Sequence, residues 1–106
     1  AKQIADAAIA NLTDANGILH DACEPDCGAD GSQFKGVFAR NLQILQKASP
    51  EKRYKTFLDR NANSIWANDR NRNNELSVIW SGPFIAPANA STQSSAMDAL
   101  VASLAT

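Results

Sequence analysis

Apolar residues recur at helical spacing in four stretches of the chain, and each run is bounded by residues that start or stop helices. Between Lys2 and Thr13, Ile4, Ala8, Ile9 and Leu12 fall on one face, while Ala5, Ala7 and Ala10 add helix propensity. Asn16-Gly17 then offers the left-handed turn that ends such a helix, and Ile18-Leu19 reads as a short extended piece. A second helix, capped by Asp30 or Ser32, runs to Ala48 with Phe34, Val37, Phe38, Leu42 and Leu45 in register. Gly36 lies inside it at a cost of about 1 kcal/mol against alanine, which points to a close approach to its backbone by a packed neighbour or a ligand, packing being the commoner reason.

Ser49-Pro50-Glu51 is both a stop and a start, with Ser49 as N-cap, Pro50 at the first helical position and Glu51 against the helix dipole. The second and third helices therefore form a short-linked hairpin. Tyr54, Phe57, Leu58, Ala62, Ile65 and Trp66 make the predicted buried stripe of the third helix, with charged residues largely off it. Asn68 to Asn74 is wholly polar and reads as a surface turn. Leu76 to Trp80 has the composition of a short strand, open to pairing with Ile18-Leu19 and ended by Ser81-Gly82-Pro83. A last helix follows Asn89-Ala90-Ser91-Thr92, with Met97, Leu100, Val101 and Leu104 as its apolar face. The fold class is mainly α, built of helical hairpins in a partial (α/α)6-toroid-like or four-helix arrangement with short extended pieces.

At 106 residues the chain is a single helical domain, 1–106, with room for one modest core. A formal net charge of -1 supplies no basic footprint, so neither nucleic acid nor an anionic membrane surface is an expected partner. No apolar run is long enough to span a bilayer, the first residues do not read as a signal peptide, and Ala1 in place of Met suggests a processed or excised chain. Cys23 and Cys27 are separated by three residues, with Pro25 and Gly28 bending the chain, which suits a disulfide-closed loop. A zinc site would need more than these two and His20, the only histidine, so no metal or other cofactor is expected. Asn11-Leu12-Thr13 and Asn89-Ala90-Ser91 fit the glycosylation pattern at Asn11 and Asn89 and, with the paired cysteines, point to a secreted, extracellular or cell-wall protein.

The chemistry-bearing residues are not arranged as a nucleophilic triad, since no Gly-x-Ser-x-Gly elbow accompanies His20. Carboxylates are plentiful at Asp21, Glu24, Asp26, Asp30, Asp59 and Asp69, but Asp favours caps and solvated loops on its own account. Carbohydrate contact has more residue-level support. Aromatic faces stand at Tyr54, Trp66 and Trp80, the first two on a core stripe and Trp80 less committed to one. Gln33, Lys35, Arg40 and Asn41 set polar groups on the helix after the cysteine loop.

Several strings resemble a known family. Asn16-Gly17-Ile18-Leu19-His20-Asp21, the run Cys23-Glu24-Pro25-Asp26-Cys27-Gly28-Ala29-Asp30-Gly31-Ser32-Gln33-Phe34-Lys35-Gly36, and Arg40-Asn41-Leu42 resemble the C-terminal part of fungal proteins of glycoside hydrolase family 76. Asn61, Ser64-Ile65-Trp66, Val78-Ile79-Trp80-Ser81-Gly82-Pro83 and Ser91-Thr92-Gln93-Ser94-Ser95-Ala96 extend the likeness over nearly the whole chain. The resemblance implies an endo-acting α-1,6-mannanase or a wall transglycosidase on an (α/α)6 toroid, of which this chain supplies about two hairpins. It also implies a catalytic pair of adjacent aspartates, and no Asp-Asp dipeptide occurs here. No catalytic residue is therefore assigned, and the acid/base machinery is expected in a missing N-terminal part.

The expected substrate-binding residues are Asp30, Gln33, Lys35, Arg40 and Trp80, with a mannose-rich oligosaccharide as partner. Exposed inner faces of a partial toroid predict a homodimer, or association with the missing part of the domain. Two other readings compete with this mannanase-like fragment. One is an autonomous secreted antifungal, antimicrobial or lectin-like effector on the same scaffold. The other is an intact enzyme with a new site around His20, Asp21 and Asp30.

Overall fold

The computed structural model describes residues 1–106 and is helical, in the order α1 (Lys2–Leu12), α2 (Gly28–Gly31), α3 (Phe34–Ala48), α4 (Lys52–Asn68) and α5 (Ala90–Ala105). The α2 element is a single turn. Gly17 takes the left-handed conformation with φ 80°, and the chain turns back so that Leu19 bridges Thr13. The cap predicted for the second helix is not used. Ser32 donates to the Gly28 carbonyl at 2.6 Å to close the α2 turn, and α3 starts at Phe34 after Gln33 with no side-chain cap. At the next junction Glu51, not Ser49, precedes the helix, and its N–H donates to Gln46 Oε1 at 2.8 Å. The last helix has the fullest cap: Asn89 accepts the Thr92 N–H at 3.0 Å while the Thr92 hydroxyl accepts the Asn89 N–H at 2.9 Å.

Contacts between helix ends fix the directions. Gly36 and Ser95, near the starts of α3 and α5, meet at 2.8 Å, so these two helices run parallel. Lys55 and Asp59 near the start of α4 bond to Ser103 near the end of α5, at 3.1 and 2.7 Å, so α4 and α5 are antiparallel. Lys2 and Asp6 of α1 pair with Glu51 and Arg53 at the start of α4, at 2.8 and 2.9 Å, which sets α1 parallel to α4. The result is an antiparallel α3–α4 pair with α5 packed along both, and α1 tied to the start of α4. The surface ion pairs that hold α1 contribute about 0–1 kcal/mol each. The core supplies the cohesion: Leu42 of α3, Tyr54, Phe57, Leu58 and Ile65 of α4, and Ala96, Ala99 and Ala102 of α5 pack with Ile18, Leu19, Leu76 and Trp80 from the connections.

The α3–α5 crossing depends on small residues. A Cβ on Gly36 would lie 2.5 Å from the Ser95 Cα, and the Gly36 N–H, which no residue of its own helix can accept, donates to the Ser95 hydroxyl. That close approach turns α5 over relative to its predicted orientation. Thr92, Ser95, Ala96, Ala99 and Ala102 face inward, leaving Met97, Val101 and Leu104 exposed, Leu104 by 88%. The predicted stripe of α4 holds except at its end, where Trp66 is 49% exposed.

No strand forms at Leu76 to Trp80, although Leu76, Val78 and Trp80 are buried. Strand pairing is unnecessary because side chains satisfy this backbone. Gln93 Oε1 accepts from the Leu76 N–H at 2.8 Å, Asp69 Oδ1 from the Ser77 N–H at 3.2 Å, and the Ser64 hydroxyl donates to the Trp80 carbonyl at 2.8 Å. Ile18-Leu19 is likewise held by a helix: Asn61 accepts the Leu19 N–H at 2.9 Å and donates to the Gly17 carbonyl at 3.1 Å.

Gly36→Ala should destabilise the protein by about 1–3 kcal/mol, because the obstruction is backbone and cannot rotate aside. Urea unfolding followed by circular dichroism measures this. A variant at least as stable as the parent would show that the two helices separate freely.

Candidate functional site

The connection between α3 and α4 is short, whereas the chain between α1 and α3 and the chain between α4 and α5 are long. The helix directions place both long connections at one end of the molecule. There they bound a cleft of about 500 Å³, with Pro25, Asp26, Cys27, Gly28 and Ala29 on one wall, Ile85, Ala86, Pro87 and Asn89 on the other, and Ser32, Val78 and Thr92 between. Cys23 and Cys27 are joined by a disulfide with their Cα atoms 4.9 Å apart, so part of the first wall, Pro25 to Cys27, belongs to a closed ring.

Glu24 lies inside that ring and anchors it. Its Oε2 pairs with the Lys35 ammonium at 2.6 Å and accepts the Asp21 N–H at 2.9 Å, while its Oε1 meets His20 Nδ1 at 2.8 Å. Lys35 is only 4% exposed and also donates to the Val78 carbonyl at 2.6 Å and, more weakly, to that of Leu19 at 3.5 Å. Its Nζ stands 4.5 Å from the centre of the Trp80 ring, which itself is 1% exposed. One ammonium thus ties the disulfide loop, the extended piece before it and the segment beyond α4 into one block. Burial pulls the Lys35 pKa below its ordinary value, against the opposing pull of Glu24.

Two further groups complete the block. His20 bridges Glu24 and Asp14, the latter at 2.9 Å. Burial disfavours its cation, yet the two carboxylates outweigh burial and raise its pKa above the ordinary 6.5. Asp69 is fully buried, and its Oδ1 accepts both the hydroxyl and the N–H of Ser77. Its Oδ2 has no partner, and burial pushes the carboxyl up to about 7 against those bonds and the charge of Lys35. The Ser77 hydroxyl in turn accepts the Ile85 N–H at 3.3 Å, linking Asp69 to the second wall of the cleft.

The residues expected to bind sugar divide into two groups. Lys35 and Trp80 are brought together, but underneath the cleft, where their charge and ring are spent on internal contacts. Asp30, Gln33 and Arg40 are exposed. Gln33 reaches Ser91 at 3.3 Å, while Asp30 and Arg40 make no side-chain hydrogen bond. Asn11 and Asn89 are both exposed, and Asn89 caps α5 through Oδ1, leaving its Nδ2 free.

Glu24, Asn61, Asp69 and Ser77 were not predicted as organising residues. Asn61 carried a readable signal, a polar residue at helical spacing within the stripe Tyr54, Leu58 and Ile65. Asp69 carried none, since it sits in an otherwise polar run that is exposed at Arg72, Asn73 and Asn74.

The family model for glycosyl hydrolase family 76 matches residues 1–106. The chain belongs to glycosyl hydrolase family 76. No curated protein and no solved structure matches it. Family 76 membership makes the molecule a glycoside hydrolase scaffold, and the loop carrying the string that first resembled the family is the one pinned by Glu24 and Lys35. No helix is long and apolar enough to cross a membrane. Within this family 76 chain the carboxylates of the loop end are mostly committed, Asp14 and Glu24 to His20, Glu24 also to Lys35, and Asp69 to Ser77. Asp26 alone lines the cleft.

The raised pKa values of Asp69 and His20 contribute pH dependence of the same sign. The folded state holds the Asp69 proton more tightly than the unfolded chain, so stability falls as pH rises from about 4 to 7. The His20 contribution is complete below 6.5 and is lost as pH rises through its higher folded value. Thermal melts of the parent should therefore fall across both windows. His20→Ala should remove the fall above pH 7 and leave the lower one. An unchanged profile in the variant would show that the His20 bridges carry no protonation linkage.

Proposed function

We propose that this chain is part of a secreted, mannan-acting glycoside hydrolase domain, in which it forms one wall of the sugar cleft and contributes no bond-cleaving pair. The observation that carries this reading is the convergence of both long connections on one cleft, stiffened by the disulfide ring and the buried Lys35–Glu24 pair. Cleaving a glycosidic bond takes two carboxyl groups roughly 5 to 10 Å apart across it. Asp26 is the only carboxylate lining this cleft, which fits recognition better than catalysis. The disulfide and the exposed acceptor residues Asn11 and Asn89 support an extracellular or wall location.

Association follows from the apolar surface. An apolar groove of about 480 Å³ lies between α1 and α3, lined by Ile4, Phe34, Val37, Phe38 and Leu45, and α5 presents Met97, Val101 and Leu104 to solvent. Each exposed apolar Å² costs about 25 cal/mol, so these faces favour further helical hairpins of a toroid, or a second copy when the chain is alone.

Calorimetric titration with α-1,6-linked mannose oligosaccharides tests the cleft. Binding is expected and should weaken in Asp26→Ala, with no release of shorter sugars. A parent protein that generates no heat, or one that hydrolyses the oligosaccharide unaided, would overturn the reading. Sedimentation at micromolar concentration should give twice the chain mass, reverting to a monomer in Val101→Glu. A parent that stays monomeric at every concentration would count against self-association.

A further inference from the structure

The two tryptophans exchange the roles expected from their positions: Trp80 is enclosed, and Trp66 stands half open on the outer surface of α4. Trp66 is not part of an apolar patch. Its neighbours along the helix surface, three residues back and four residues on, are Asn63 and Arg70, both exposed. The Arg70 guanidinium lies over the indole, 3.8 Å from the ring centre. It is held there from two sides, with Nε donating to the Trp66 carbonyl at 3.1 Å and Nη1 to Asn74 Oδ1 at 2.9 Å.

The loop beyond is folded to keep Arg70 in place. Asn74 adopts a left-handed conformation with φ 63°, which asparagine tolerates. Asn71 Oδ1 accepts the N–H groups of Asn73 and Glu75, at 3.0 and 2.9 Å, and Arg70 bridges Leu76. The indole therefore has a fixed orientation, one face covered by a planar cation and the remainder wet. Beside it, three residues back on the helix surface, the exposed Asn63 side chain forms no hydrogen bond within the protein. An aromatic ring backed by one guanidinium and flanked by a free amide matches a pyranose, which offers an apolar face of C–H groups and a rim of hydroxyls that both donate and accept.

We propose that Trp66, with Arg70 as its backing and Asn63 beside it, is a second carbohydrate-contact site outside the cleft, taking one neutral pyranose unit of a polysaccharide by ring stacking. The choice of sugar rests on the mannan-acting reading above, whereas the site rests on the geometry of Trp66 and Arg70. Its effect would be to hold a long polymer against the molecule while the cleft engages another part of the same chain, raising the effective concentration at the cleft.

The test follows tryptophan emission while the protein is titrated with a linear α-1,6-mannan, in the parent and in Trp66→Ala, Trp66→Phe, Arg70→Ala and Asp26→Ala. Because Trp80 is enclosed, acrylamide quenches chiefly Trp66, and bound mannan should protect it. Trp66→Ala should lower mannan affinity roughly tenfold, Trp66→Phe less, and Arg70→Ala should weaken binding with circular dichroism unchanged. Unaltered affinity in both Trp66 variants, with binding lost in Asp26→Ala, would overturn this site and leave the cleft standing. A parent that binds no mannan and shows no protection would overturn both. If Trp66→Ala fails to fold, Trp66→Phe and the quenching of the parent decide the matter.

Discussion

An ammonium group has been taken out of water at Lys35, and the surrounding structure is arranged to compensate it. Isolated burial of a charge costs several kcal/mol, so a carboxylate, a carbonyl and an indole face must all be in position before α3 can seat. Those three groups come from two stretches far apart in sequence: the disulfide ring, and the segment that carries both the Val78 carbonyl and Trp80. Satisfying one cation therefore aligns both long connections at once. The pair is better understood as a device for specificity than as a source of stability, since a well-packed apolar replacement for both partners is often neutral or better. What a neutral replacement would not reproduce is the fixed placement of Glu24, which also orients His20 and the Asp21 peptide.

The helices were legible from apolar spacing, and the short link at Ser49-Pro50-Glu51 was legible from its turn chemistry. For Gly36 a packed neighbour was favoured over a ligand as the reason for glycine in a helix interior, and Ser95 is that neighbour. The errors share a cause. Met97, Val101 and Leu104 form a better apolar face than the alanines opposite them, but the crossing with α3 admits only small side chains, so size overrode hydrophobicity. Leu76 to Trp80 has strand composition and strand-like burial, but its hydrogen-bond partners are side chains from other elements, which local pattern does not reveal. Trp66 belongs by spacing to the stripe of α4, and only the position of Arg70 after the helix end shows that it turns outward.

The candidate site was less legible than the fold for the same reason. The cysteine loop stood out in the sequence, and the disulfide formed as expected. Polar residues near that loop were natural candidates for ligand contact, yet Lys35 is drawn beneath the surface by Glu24, a partner eleven residues earlier with no distinguishing local context. Glu24 is acidic among several acidic neighbours, and sequence does not say which of them turns inward. Asp69 shows the same ambiguity at the other connection. In both cases the decisive property is a pairing in three dimensions, Glu24 with the Lys35 ammonium and Asp69 with the hydroxyl and N–H of Ser77.

Backbone held by side chains behaves differently from backbone held in a helix. The amide protons of Leu19, Leu76 and Ser77 are each protected by a single distant residue, Asn61, Gln93 and Asp69 respectively. Their exchange with solvent deuterium is consequently governed one residue at a time, independently of the cooperative melting of any element. Changing one side chain on α4 or α5 would expose one peptide at the cleft end while the helices retain their protection.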